Sequence, residues 1–149
     1  MCGIIAVLRR PSTRVPTDVA DVLARLDQVS SDLGEALGQS HAAPMEVLDR
    51  VADVLESVDR DLRGRPGLHT LLSDPAAVDR IELLVAAISE RLGAFEAAIE
   101  DGSVVRSDQE LEDLNVRLGR VRDAAWAISR DRVRAARQVT LLVGADAGE

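Results

Sequence analysis

The chain has 149 residues, 46% hydrophobic and 30% charged, with a net charge of −8. That is one domain's worth of chain, with enough apolar side chains for a sizeable core and too many for a disordered tail. One Phe, one Trp and no Tyr argue against a large aromatic-lined pocket and against base stacking. The excess of acid, shared by both halves, offers nothing to a nucleic-acid backbone.

Cys2 is the single cysteine, so no intrachain disulfide or multi-cysteine metal site can form. No apolar run is long enough to span a membrane. Met1 to Arg10 lacks the layout of a secretory signal, because its basic pair follows the short apolar run. The expected compartment is the cytoplasm, where a free thiol survives.

In chain order, Ile4 to Leu8 is a short run of β-formers, and residues 1–10 are expected as one N-terminal strand. Residues 11–16, bracketed by Pro11 and Pro16, are expected as a loop. The helical part is expected over residues 17–138. Its first helix begins near Thr17 as N-cap, with Asp18 and Asp21 in the first turn. Val19, Val22, Leu23, Leu26, Val29, Leu33 and Leu37 share one face. The second helix opens at Pro44 and carries Met45, Leu48, Val51, Val54, Leu55, Val58 and Leu62. Gly64, Pro66 and Gly67 are expected to stop it, leaving Leu68, Leu71 and Leu72 as a short apolar turn under one end of the core.

The third expected helix is capped by Asp74 and opened by Pro75. Val78, Ile81, Val85, Ile88, Leu92, Phe95 and Ile99 follow at alternating steps of three and four, a heptad-like seam. Gly102 is the natural stop. Ser107 to Glu110 has the capping-box pattern of a helix start, and Leu111, Leu114, Leu118, Val121, Ala125 and Ile128 continue the seam. Past Val133 the pattern weakens. Gln138 to Val143 fits a helix extension or a short strand, and residues 139–149 are expected as a tail or the start of a missing remainder.

Four amphipathic helices joined by short connections predict a mainly α fold: an antiparallel four-helix bundle with one short N-terminal β-strand. A lone strand leaves its backbone groups unsatisfied, so it is expected to pair with a sheet outside these residues.

Removal of Met1 would leave Cys2 with both a thiol and a free α-amine, and Gly3 places no side chain beside it. The start Met1-Cys2-Gly3-Ile4-Ile5 resembles the N-terminus of class II glutamine amidotransferases, which are N-terminal-nucleophile hydrolases; the glucosamine-fructose-6-phosphate aminotransferase branch is the preferred parent. The resemblance implies that Cys2 is the nucleophile on the side-chain amide of glutamine, with its own amine relaying the proton. No cofactor and no metal is expected. The resemblance covers only about the first nine residues. The family's Arg-Gly-Tyr-Asp-Ser-type segment, which holds the substrate carboxylate, has no counterpart. The Asn-Gly pair that supplies oxyanion donors is also missing, for Asn115 is followed by Val116. The expectation is an N-terminal piece of an amidotransferase, inactive alone, with a helical insertion after the first strand. Its expected partners are glutamine and the remainder of the protein or another subunit, in a homo-oligomer.

The alternative is a non-catalytic helical module that dimerises or docks through its heptad faces. His41 and His69, each expected in a turn, lack carboxylates at ligand spacing and are expected to face solvent. Arg117, Arg120, Arg122, Arg130, Arg132, Arg134 and Arg137 make the end of the last helix basic, and acids on the other helices are expected to pair with them. Trp126, beside Ala125 on the seam, is expected at the edge of the core.

Overall fold

A computed structural model describes residues 13–38, 44–100 and 107–146. Helix accounts for nearly all of them, and no strand occurs among them. The expected strand, Cys2, His41, Gly102 and residues 147–149 lie outside the described residues.

Helix α1 spans Val19–Gly38, α2 Pro44–Asp61, α3 Gly64–Ser73, α4 Pro75–Glu100 and α5 Asp108–Trp126. A π-helical stretch, Ala127–Val133, joins α5 to α6, Arg134–Asp146. Side chains set several starts. Asp74 Oδ1 accepts from the N–H of Ala77 at 3.1 Å, and Ser107 Oγ from that of Glu110 at 3.2 Å, each satisfying a donor the first turn leaves open. At α1 the cap is Asp18, not Thr17: Asp18 Oδ1 accepts from Ala20 N–H at 2.9 Å. The end of α2 is closed from a distance, where the Arg14 guanidinium donates to the main-chain oxygens of Arg60, Asp61 and Arg63. A cation there suits the negative end of the helix.

The four long helices form a ring around one core, with α1 against α2 and α4, and α5 against the same two. The seams meet inside it: Val22, Leu26, Leu33, Leu48, Leu55, Ile81, Ile88, Leu118 and Ile128 are buried. The heptad faces therefore cover one another within the chain and are not free for a partner. Cross-helix ion pairs give the directions. Arg25 meets Asp61 at 2.9 Å and Arg50 meets Asp32 at 3.3 Å, so α1 and α2 are antiparallel. Arg117 with Asp49 and Arg132 with Asp59, both at 2.9 Å, make α2 and α5 parallel. Arg137 with Asp79 at 2.7 Å, and Arg122 with Glu96, make α4 and α5 antiparallel. It follows that α1 and α4 run parallel.

Successive long helices alternate in direction, as short connections predict, but half of the spatial neighbours are parallel. The reason is α3. The stretch expected as an apolar turn is a ten-residue helix, about 15 Å long. That is roughly the diagonal of a square of helices spaced about 10 Å apart. Laid across the end of the ring, α3 carries the chain from α2 to the diagonally opposite α4. The buried Thr70 hydroxyl ties it to the start of α1 by donating to the Thr17 carbonyl at 2.9 Å. Leu71 enters the core, while Leu72 stays exposed.

Two glycines make this crossing possible. Gly64 has φ +69°, a left-handed turn that lets α3 begin directly after α2. Gly67 lies so close to the turn just after α2 that a Cβ would overlap the main chain of Leu62. Gly64, Pro66 and Gly67 end α2 as expected, yet they also start the next helix.

Gln138 to Val143 is helical, within α6, and Gly144 to Asp146 are its last residues. No helix among the described residues is long and apolar enough to cross a membrane.

Candidate functional site

The candidate nucleophile, Cys2, lies outside the described residues, so the geometry concerns the arginine-rich helix. Along α5 and into the π-helical stretch the apolar seam runs Leu114, Leu118, Val121, Ala125 and Ile128, all buried. The next buried apolar residue is Val133, five positions on, followed by Ala136. An uninterrupted α-helix would aim Asp131 or Arg132 at the core instead. The π-helical stretch takes up the extra residue: Arg134 N–H donates to Ser129 C=O, five residues back. The insertion returns Val133 to the core and leaves Arg132 at its margin, pointing at α2.

There Arg132 Nε donates to Asp59 Oδ1 at 2.9 Å. The Asp59 side chain is only 4% exposed. Its second oxygen accepts from Nε of Arg63 at 2.8 Å and also from that guanidinium's Nη2. A carboxylate this buried is tolerable because two guanidiniums hold it. π-Helical turns often occur at functional sites, and a cleft of about 360 Å³ opens beside this one, between α2 and α5. Glu56, Asp59, Arg60, Arg63, Arg120 and the exposed Asp123 line it. Glu56 already accepts from Arg120 at 2.9 Å. Most of the charge in the cleft is thus bonded within the protein, and the cleft's chemistry is that of a polar seam joining α2 to α5.

Acids on α2 and α4 hold most of the basic cluster. Arg117 bonds Asp49; Arg120 bonds Asp53 at 2.7 Å and Glu56; Arg122 bonds Glu96; Arg132 bonds Asp59; Arg137 bonds Asp79 and Glu82. Hydrogen bonds from Arg120 to Glu56 and Asp53 push its pKa further above the ordinary value, and those from Arg137 to Glu82 and Asp79 do the same there. Both raised values carry the charged form through the ordinary arginine pKa, so the arginine side of these ion pairs stays charged at neutral and mildly alkaline pH. The expected pairing thus fails for two members: Arg130 and Arg134 make no ion pair among the described residues.

Those two project from the outer side of the helix with Trp126, around a shallow groove that Gln138 also lines. Trp126 is 58% exposed, a correction to its expected place at the core edge. It follows Ala125 by about 100° of helical rotation, enough to carry it off the seam. His69 is exposed on α3, in a helix where a turn was expected. No group of three or more His, Cys, Asp or Glu among the described residues could hold a metal ion.

Sequence reasoning missed Asp59 and the outer position of Trp126. The signal for the first was the five-residue step from Ile128 to Val133, which no regular helix accommodates. No family model, curated protein or solved structure matches the chain.

Proposed function

We propose that the chain is the N-terminal part of a class II glutamine amidotransferase, in which Cys2 releases ammonia from glutamine. The observation that carries this reading is the run Met1-Cys2-Gly3-Ile4-Ile5. After loss of Met1, the Cys2 thiolate attacks the side-chain amide carbon of glutamine. The tetrahedral intermediate expels ammonia, which takes a proton relayed by the Cys2 α-amine, and leaves a thioester. Water then attacks the thioester, releasing glutamate and restoring the thiol. Residues 1–10 carry the nucleophile, and the helices are a four-helix bundle inserted between it and the rest of the amidotransferase domain. The substrate clamp and oxyanion donors come from the remainder of the protein, so these 149 residues do not hydrolyse glutamine alone. The reaction takes place in the cytoplasm and supplies ammonia for amino-sugar synthesis.

The test is the intact mass of the native gene product, before and after a diazo-ketone analogue of glutamine. Expected are loss of Met1 and one stoichiometric adduct, abolished by Cys2→Ala. A retained Met1, or a Cys2 that stays unlabelled in the native product, would overturn the reading.

A second reading, a helical interaction module, draws on the exposed Trp126, Leu141 and Leu142. Its surface would be this outer side of the ring, since the heptad seams are buried.

A further inference from the structure

We propose that two copies of this chain associate through the outer face of the α5–α6 helix, packed antiparallel about Trp126. The proposal deepens the interaction reading, on which it rests, and is independent of the chemistry at Cys2.

The outer face carries Glu112, Val116, Asp123, Trp126, Arg130 and Arg134 in that order, all exposed. Beyond them Leu141 and Leu142 are 72% and 69% exposed. Glu112, Asp123, Arg130 and Arg134 make no ion pair or side-chain hydrogen bond among the described residues. This sets them apart from the arginines on the inner flanks of the same helix, each bonded to an acid of α2 or α4. The unpaired charges are also ordered along the axis. The acids Glu112 and Asp123 precede Trp126, and the bases Arg130 and Arg134 follow it.

That order selects the occupant. A second copy laid parallel would set acid on acid and base on base. Laid antiparallel about Trp126 and Ala127, it sets Arg130 against the partner's Asp123, and the reverse by symmetry. Asp131, the one acid among these arginines, falls level with the partner's Arg122, which its own Glu96 already holds. Arg134 falls opposite the partner's Gly119, where a Cβ would meet nothing within 4 Å, so its stem has room to lie down. The two Trp126 rings meet at the centre, and towards the ends Leu142 falls opposite the partner's Leu111 and Leu141 opposite the partner's Glu112. Exposed Trp flanked by Arg is the composition of an interface centre. The face from Val116 to Leu142 is about 40 Å long, long enough to approach the roughly 800 Å² per partner of a standard interface.

Sedimentation equilibrium of the full chain tests this. Expected is a dimer in the micromolar range that weakens as salt rises. The double substitution R130E/R134E should weaken it about a hundredfold, because position 130 then sets acid against the partner's Asp123 in both copies and position 134 adds further negative charge to the face. The swap D123R/R130E within one chain should restore much of the affinity, since each copy then carries both reversed charges. Trp126→Glu gives a second disruption at the centre. All these positions are exposed, so far-UV circular dichroism should not change. A chain that stays monomeric overturns both the proposal and its use as a self-association module. A dimer that R130E/R134E and Trp126→Glu leave intact overturns this surface but keeps association through another face. Neither result bears on labelling of Cys2.

Discussion

Helices α4 and α5–α6 are neighbours in the ring and solve the same problem differently. In α4 the buried residues Val78, Ile81, Val85, Ile88, Leu92 and Phe95 keep steps of three and four throughout. Nothing but that rhythm is needed to keep it facing the core. The neighbouring helix keeps the rhythm only to Ile128, then slips by one residue through the π-helical stretch before Val133 and Ala136 resume it. At the slip stands a buried carboxylate, Asp59 of α2, held by Arg132 and Arg63. One helix keeps an unbroken apolar stripe, with its ion pairs on exposed flanks. The other is positioned by apolar burial on both sides of a joint, with an ion cluster at the joint. The difference teaches that a break in periodicity need not end a helix when the backbone can absorb the extra residue.

The sharpest way to break the comparison is to delete one residue from each helix. Deleting Ser89 from α4 turns Leu92 and Phe95 away from the core. The cost should exceed about 5 kcal/mol, since each lost side chain is worth about 2–5 kcal/mol, and the cooperative thermal transition should be lost. Asp59→Asn attacks the joint instead. It leaves Arg132 and Arg63 short of their counter-charge, and denaturant titration should show a loss of about 3 kcal/mol. Deleting Asp131 should cost much less, about 1 kcal/mol. It removes the extra residue, lets the helix close into regular α geometry, and keeps Arg132 next to Val133. If the two deletions cost the same, the π-helical stretch is not what absorbs the slip. Smallest is Arg122→Ala. Its pair with Glu96 is largely solvent-exposed, and its removal should change stability by no more than about 0.5 kcal/mol.

Helix starts were the most legible part of the sequence. Asp74-Pro75 and Ser107 to Glu110 hold their caps in the side chains, and the structure uses both. The seams were legible too, because burial of one face is a local property of spacing. The α3 helix was not. Gly64, Pro66 and Gly67 are stop signals by local preference, and only the end of α2 shows why the same residues open a helix there. Trp126 was misplaced because proximity to a seam residue in sequence is a wide separation around a helix. The Arg cluster was legible as paired, but not which members stay unpaired, since that depends on where α2 and α4 lie. Of the proposed Cys2 chemistry, the motif is visible in sequence and lies outside the described residues.

By itself the sequence determined that the chain is mainly helical, where its long helices begin and which face each one buries. Those features follow from nearest-neighbour preferences and from the spacing of apolar residues. Only the tertiary structure decided the order of helices around the ring, the diagonal crossing by α3, and the π-helical joint over Asp59. Each of these depends on what a distant segment brings alongside: the end of α2 against Gly67, Thr17 against Thr70, and Asp59 against Arg132.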